Sequence, residues 1–119
     1  MSCPLIPISI GELLDKITIL LIKAEHTGSK FVHQELRDLI KIAQDLEVYK
    51  NEYIDDLLRV NRKLWDIEDE LRVRESNSNF DEEFIRLARS VYITNDERAK
   101  IKKNINIETK STYQEVKLY

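Results

Sequence analysis

Little in this sequence can bend, staple or anchor a chain. It has two glycines, two prolines and one cysteine in 119 residues. With Cys3 alone there is no intramolecular disulfide, which suits a reducing, cytoplasmic setting. No apolar run approaches the roughly 18 residues of a membrane span, and the N-terminus lacks the basic region of a signal peptide. A soluble protein of one domain is expected. No serine or cysteine is framed by histidine, and no glycine-rich turn could cradle a phosphate, so nucleophilic catalysis has no support. His26 and His33 stand seven apart without a third ligand at zinc spacing. Neither a metal nor a cofactor is expected.

What remains is rich in helix formers. Hydrophobic residues make up 42% and charged residues 34%, and the apolar ones recur with a regular period, which argues for long helices joined by few loops. The net charge of −3 carries no overall attraction to nucleic acid or acidic membranes, and neither is expected as a partner. Its distribution is uneven. Residues 51–83 hold eleven acids against five bases, whereas 84–106 hold six bases against two acids. Two oppositely charged segments lying side by side is the simplest account.

The expected fold is all-α, an antiparallel helical bundle with a short extended C-terminal tail. Ser9 and Glu12 have the spacing of a capping box, and Ile8 and Leu13 that of a hydrophobic staple. They predict a helix over about 10–27, with Gly28 as its stop. From Leu36 to Arg74 the apolar residues alternate in steps of three and four, a heptad seam interrupted only by Lys50 well inside it. Unbroken, residues 32–75 would be a rod of roughly 65 Å, with a break near 48–51 as the alternative. Ser76 to Asn79 reads as a loop, and Asn79 with Glu82 as the cap of a helix over 80–93. Thr94 and Glu97 repeat the capping-box spacing, so a further helix is expected over 95–106, or one kinked helix throughout.

Two polar stripes stand out. Glu12, Lys16, Ile19 and Lys23, with Asp15 beside them, share one helix face; Asn61, Trp65, Glu68 and Arg72 share another with the same spacing. On antiparallel neighbours they would form a polar groove walled by Trp65, suited to a small anionic metabolite or nucleotide. Equally, Lys16 with Glu12 and Arg72 with Glu68 would be ordinary surface pairs. Arg86, Arg89 and Arg98 form a second cluster near Asn95 and Asp96, able to clamp a carboxylate or phosphate, or to pair with the acidic segment. The i, i+3 carboxylates Glu12/Asp15 and Asp66/Asp69 resemble in part the Mg²⁺-holding pairs of helical nucleotide pyrophosphatases, but the glutamate-rich first pair is missing.

In combination, Ile8 to Leu20 (Ile-Ser-Ile-Gly-Glu-Leu-Leu-Asp-Lys-Ile-Thr-Ile-Leu), Leu64-Trp65-Asp66-Ile67-Glu68-Asp69, Phe84 to Tyr92, Asn95-Asp96-Glu97-Arg98-Ala99 and the ending Glu115-Val116-Lys117-Leu118-Tyr119 are distinctive. The sequence resembles a family of short uncharacterised proteins, a domain of unknown function from bacteria and some phages. The resemblance covers most of the chain and is weakest over about 27–56. It implies no activity, but it does imply that Glu12, Asp15, Lys16, Asn61, Trp65, Glu68, Arg86, Arg89, Asn95, Asp96 and Arg98 belong to the family pattern. The residues themselves leave two functions open. One is a non-enzymatic helical interaction module that forms a homo-oligomer through the heptad seam, which one short first helix would not fully cover. The other is a small enzyme or binding protein for an anionic ligand in the polar groove.

Overall fold

A computed structural model describes residues 2–119. Its helices are α1 (Ile10–His26), α2 (Lys30–Asp45), α3 (Asn51–Ser76) and α4 (Glu82–Glu108), followed by an extended tail, so the protein is all-α. The chain runs up, down, up, down. Tyr53 meets Glu108, Arg59 meets Glu97 and Arg74 meets Asp81, so α3 and α4 are antiparallel along their length.

Local chemistry sets the helix starts. The Ser9 hydroxyl accepts from the Glu12 amide at 3.1 Å, as the capping-box spacing requires. The cap of α4 is Asp81 rather than Asn79: its Oδ1 accepts from the Phe84 amide at 3.1 Å. The ends of α2, α3 and α4 follow one rule that the sequence hid, while α1 ends at Thr27 in extended backbone. Glu47, Ser78 and Lys110 all have positive φ, near 50–60°. At each, the next amide reaches back five residues, Val48 to Ala43, Asn79 to Arg74 and Ser111 to Asn106, which is the Schellman arrangement. Glycine usually takes that left-handed position, and here none of the three is glycine. The long heptad pattern therefore breaks over 46–50, between α2 and α3, with Val48 buried beside Ala43 in the core.

The expected break at Thr94 does not occur. Residues 82–108 form one helix, because no glycine or proline interrupts them and α3 packs alongside throughout. Thr94 is buried in mid-helix, and Glu97 faces Arg59 instead of capping anything. The oppositely charged segments do lie side by side as α3 and α4. Among the described residues the one ion pair between them runs against the bulk charges, with the acidic segment supplying Arg59 and the basic one Glu97.

α1 is the hub. Its backbone runs close to those of α2, α3 and α4, whereas that of α2 comes close to α1 alone among the described helices. Leu14, Ile17, Leu57 and Ile105 are almost completely buried at the centre, with Leu13, Leu20, Leu36, Ala43, Tyr53 and Ile54 around them. The heptad residues Tyr53, Leu57, Val60, Leu64 and Ile67 are all buried within the chain. The seam is thus spent internally as far as Ile67. Beyond it α3 and α4 continue as a two-helix arm. The molecule is 48 Å long, with a radius of gyration of 16.1 Å, where a compact chain of this length would have about 13.5 Å.

Candidate functional site

Asp15 is fully buried on the face of α1 between α3 and α4. A buried carboxylate is costly unless its oxygens are paired and hydrogen-bonded. Here Arg98 grips it with both ends of the guanidinium: Nε donates to Oδ1 at 3.0 Å and Nη2 donates to Oδ2. Asn61 adds a donor from α3, giving 2.9 Å bonds to Asp15 Oδ1 and to Thr18 Oγ1, while the Thr18 hydroxyl donates to the Asp15 carbonyl. One turn below, Lys102 donates to Glu12 at 2.7 Å, pairs with Glu115 of the tail at 3.0 Å and stands 3.8 Å from Asp15. Burial works against the charge on Lys102, but the hydrogen bonds to Glu12 and Glu115 outweigh it and raise its pKa. The hydrogen bond to Asp15 likewise raises that of Arg98.

The start of α1 is tied into the same network. Its first orphan amides need acceptors. Ile10 N–H donates to Ser111 Oγ at 3.0 Å and Gly11 N–H to Asn106 Oδ1 at 2.7 Å. Gly11 is required here: a Cβ would stand 2.8 Å from the Lys102 carbonyl oxygen. The tail then turns back along α4, held by Glu115 on Lys102 and Lys117 on Asp96.

This network gathers Glu12, Asp15, Asn61 and Arg98 from the residues nominated by sequence, and scatters the others. α1 and α3 run parallel, with Asn61 beside Asp15 and Trp65 stacked on His26 at 4.6 Å, so the antiparallel groove is not formed. Lys16, Lys23, Glu68 and Arg72 are exposed, and none makes an ion pair among the described residues. The arginine clamp does not converge either. Arg86 is exposed and pairs with Glu83, Arg89 is exposed, and Arg98 is some 18 Å along α4 from Arg86 and committed to Asp15. The carboxylates of Glu12 and Asp15 face an ammonium and a guanidinium, which occupy the positions a cation would take. A surface cavity of about 480 Å³ lies elsewhere, between α4 and the tail, and of the residues singled out by sequence Asp96 alone lines it.

Lys102, Asn106, Thr18 and Thr94 were missed. The signal for three of them was spacing: Thr94, Lys102 and Asn106 recur with Arg98 every four residues, one polar stripe on α4. Thr94 Oγ1 is the one buried side-chain polar atom among the described residues without a hydrogen-bond partner. Chemically the network is closed. Every Asp15 oxygen is engaged, which ties together the register of α1, α3 and α4.

The open surface is the arm. From Glu68 to Ile93 no side chain is buried, and Val73, Phe80, Ile85, Tyr92 and Ile93 are 52–55% exposed. No helix is long and apolar enough to cross a membrane among the described residues. No curated protein and no solved structure matches the chain. The family of unknown function DUF6165 matches residues 5–119, nearly the whole length that carries both the buried network and the arm, and the chain belongs to that family.

Proposed function

We propose that this protein is a non-enzymatic helical interaction module that self-associates, and that the α3–α4 arm, rather than the proximal heptad seam, is the contacting surface. The observation that carries this reading is the absence of any buried residue between Glu68 and Ile93 in a stretch holding nine large apolar side chains. Two helices alone cannot cover their own apolar stripes, and a patch of this kind marks a contact site. The closed Asp15–Arg98–Lys102 network supports it from the other side. Its cations are already matched by the chain's own carboxylates, which leaves little to attract an anionic metabolite. A cytoplasmic location belongs to the same proposal, on the strength of the single free thiol of Cys3. Size-exclusion chromatography with light scattering tests the reading. A mass rising above the monomer with concentration is expected, and a strict monomer at millimolar concentration would refute it.

A further inference from the structure

α1 ends at His26 while α3 and α4 go on, and no described helix continues its place between them. Asn61 and Trp65 mark the α1-facing side of α3, through their contacts with Asp15, Thr18 and His26. Glu68 and Arg72, seven and eleven residues after Asn61, return to that side. On α4 the marker is Arg98. Val91, Leu87 and Phe84, seven, eleven and fourteen residues before it, fall within about 40° of the same direction. All three are only half-buried, and Phe80 packs edge-on against Phe84 at 5.2 Å. The α1-facing stripe of α4, which carries the buried Ile105 beside Arg98 and Lys102 where α1 covers it, therefore stays apolar past the end of α1, the reverse of a helix face meant for water.

Charge identifies what fills that place. Glu68 and Arg72 have opposite signs, stand one turn apart beside the apolar stripe, and make no ion pair among the described residues. A second α3 running antiparallel would place Glu68 against Arg72 and Arg72 against Glu68, the reciprocal contacts of a twofold axis. Resting on the self-association reading above, we propose that two arms pack antiparallel about such an axis into a four-helix bundle. Phe84, Leu87 and Val91 of both copies form its centre, and the Glu68–Arg72 pairs lie at its edge. The arm is about 13 Å long over residues 68–76 and two helices wide, which is small for a stable interface, so the dimer forms in the micromolar range.

Charge exchange tests the arrangement in analytical ultracentrifugation from about 10 µM to 1 mM, a range set by that interface size. E68R places two arginines, and R72E two acids, at each pairing site. Each variant alone meets only like charge, and its dimer dissociation constant rises by about tenfold. Mixing E68R with R72E restores both pairs in a heterodimer, and the double variant E68R/R72E restores them in a homodimer. Because both positions are exposed, circular dichroism and melting of the variants match the parent. A dimer indifferent to the single exchanges, or not rescued by mixing, would overturn the pairing and leave self-association standing. A chain that is monomeric throughout would overturn both, and the place beyond His26 would then await a different helix.

Discussion

The chain has two glycines, and replacing each by alanine should have opposite consequences. In a helix, alanine is favoured over glycine by up to about 1 kcal/mol, so propensity alone predicts that G11A stabilises. The packing says otherwise. The new Cβ would stand 2.8 Å from the Lys102 carbonyl oxygen, 2.9 Å from Asn106 Oδ1 and 3.2 Å from Lys102 Cα. A helical carbonyl cannot rotate away, so α1 and α4 must separate, at about 1–3 kcal/mol for overpacking. Separation also stretches the buried Gly11–Asn106 hydrogen bond of 2.7 Å, which contributes about 1 kcal/mol. The balance is a net loss of about 1–3 kcal/mol. With an unfolding entropy near 2.1 cal/mol/K per residue, that lowers the melting temperature by about 4–12 °C. Gly28 is the control. Nothing lies within 4 Å of its would-be Cβ and its φ is not positive, so G28A should leave the melting temperature within about 2 °C or raise it. Thermal melts followed at 222 nm compare the two. If G11A melts at or above the parent, the close approach of α1 and α4 is wrong.

Two further outcomes follow from the buried network and the base of the bundle. R98M leaves Asp15 buried with Asn61 at 2.9 Å and Lys102 at 3.8 Å as its remaining partners, and should cost about 3 kcal/mol in urea denaturation. D15N/R98M, which removes both charges, should recover much of that loss, and a single-variant cost below about 1 kcal/mol would contradict that tie among the three helices. Tyr53 donates to Glu108 at 2.6 Å, and that hydrogen bond, with burial and the charges of Glu108 and Glu52, pushes its phenol up to about 12. A raised folded value means the stabilisation is fully present below about pH 10 and is lost as pH rises through about 12. Absorbance titration at 295 nm should show one late phenol that moves to lower pH in E108Q; an unmoved late phase would remove Glu108 as the cause.

Much of the fold was legible because its signals are local. A capping box lies within four residues, and an amphipathic period within a few turns, so Ser9, Asp15 to Leu20 and the α3 seam carry their own structure. The errors were also local in origin. The helix ends at Glu47, Ser78 and Lys110 use left-handed residues other than glycine, so neither the loop at 46–50 nor the tail's turn carried the usual mark. Thr94 with Glu97 matched a capping box by spacing alone, but a cap requires the chain to enter from an extended segment, and α4 passes straight through.

By itself the sequence determined that the chain is helical, where the first helix starts, which residues line its core and which polar residues stand out. Only the tertiary structure decided what those polar residues do. Asp15 is 83 residues from Arg98 and Glu12 is 90 from Lys102, and periodicity along one helix says which face a side chain takes, never which distant side chain meets it. That pairing turned Arg98 from an open clamp into a closed lock. It also left Glu68, Arg72 and the apolar stripe of the arm outside the core, because α1 ends at His26 while α3 and α4 go on.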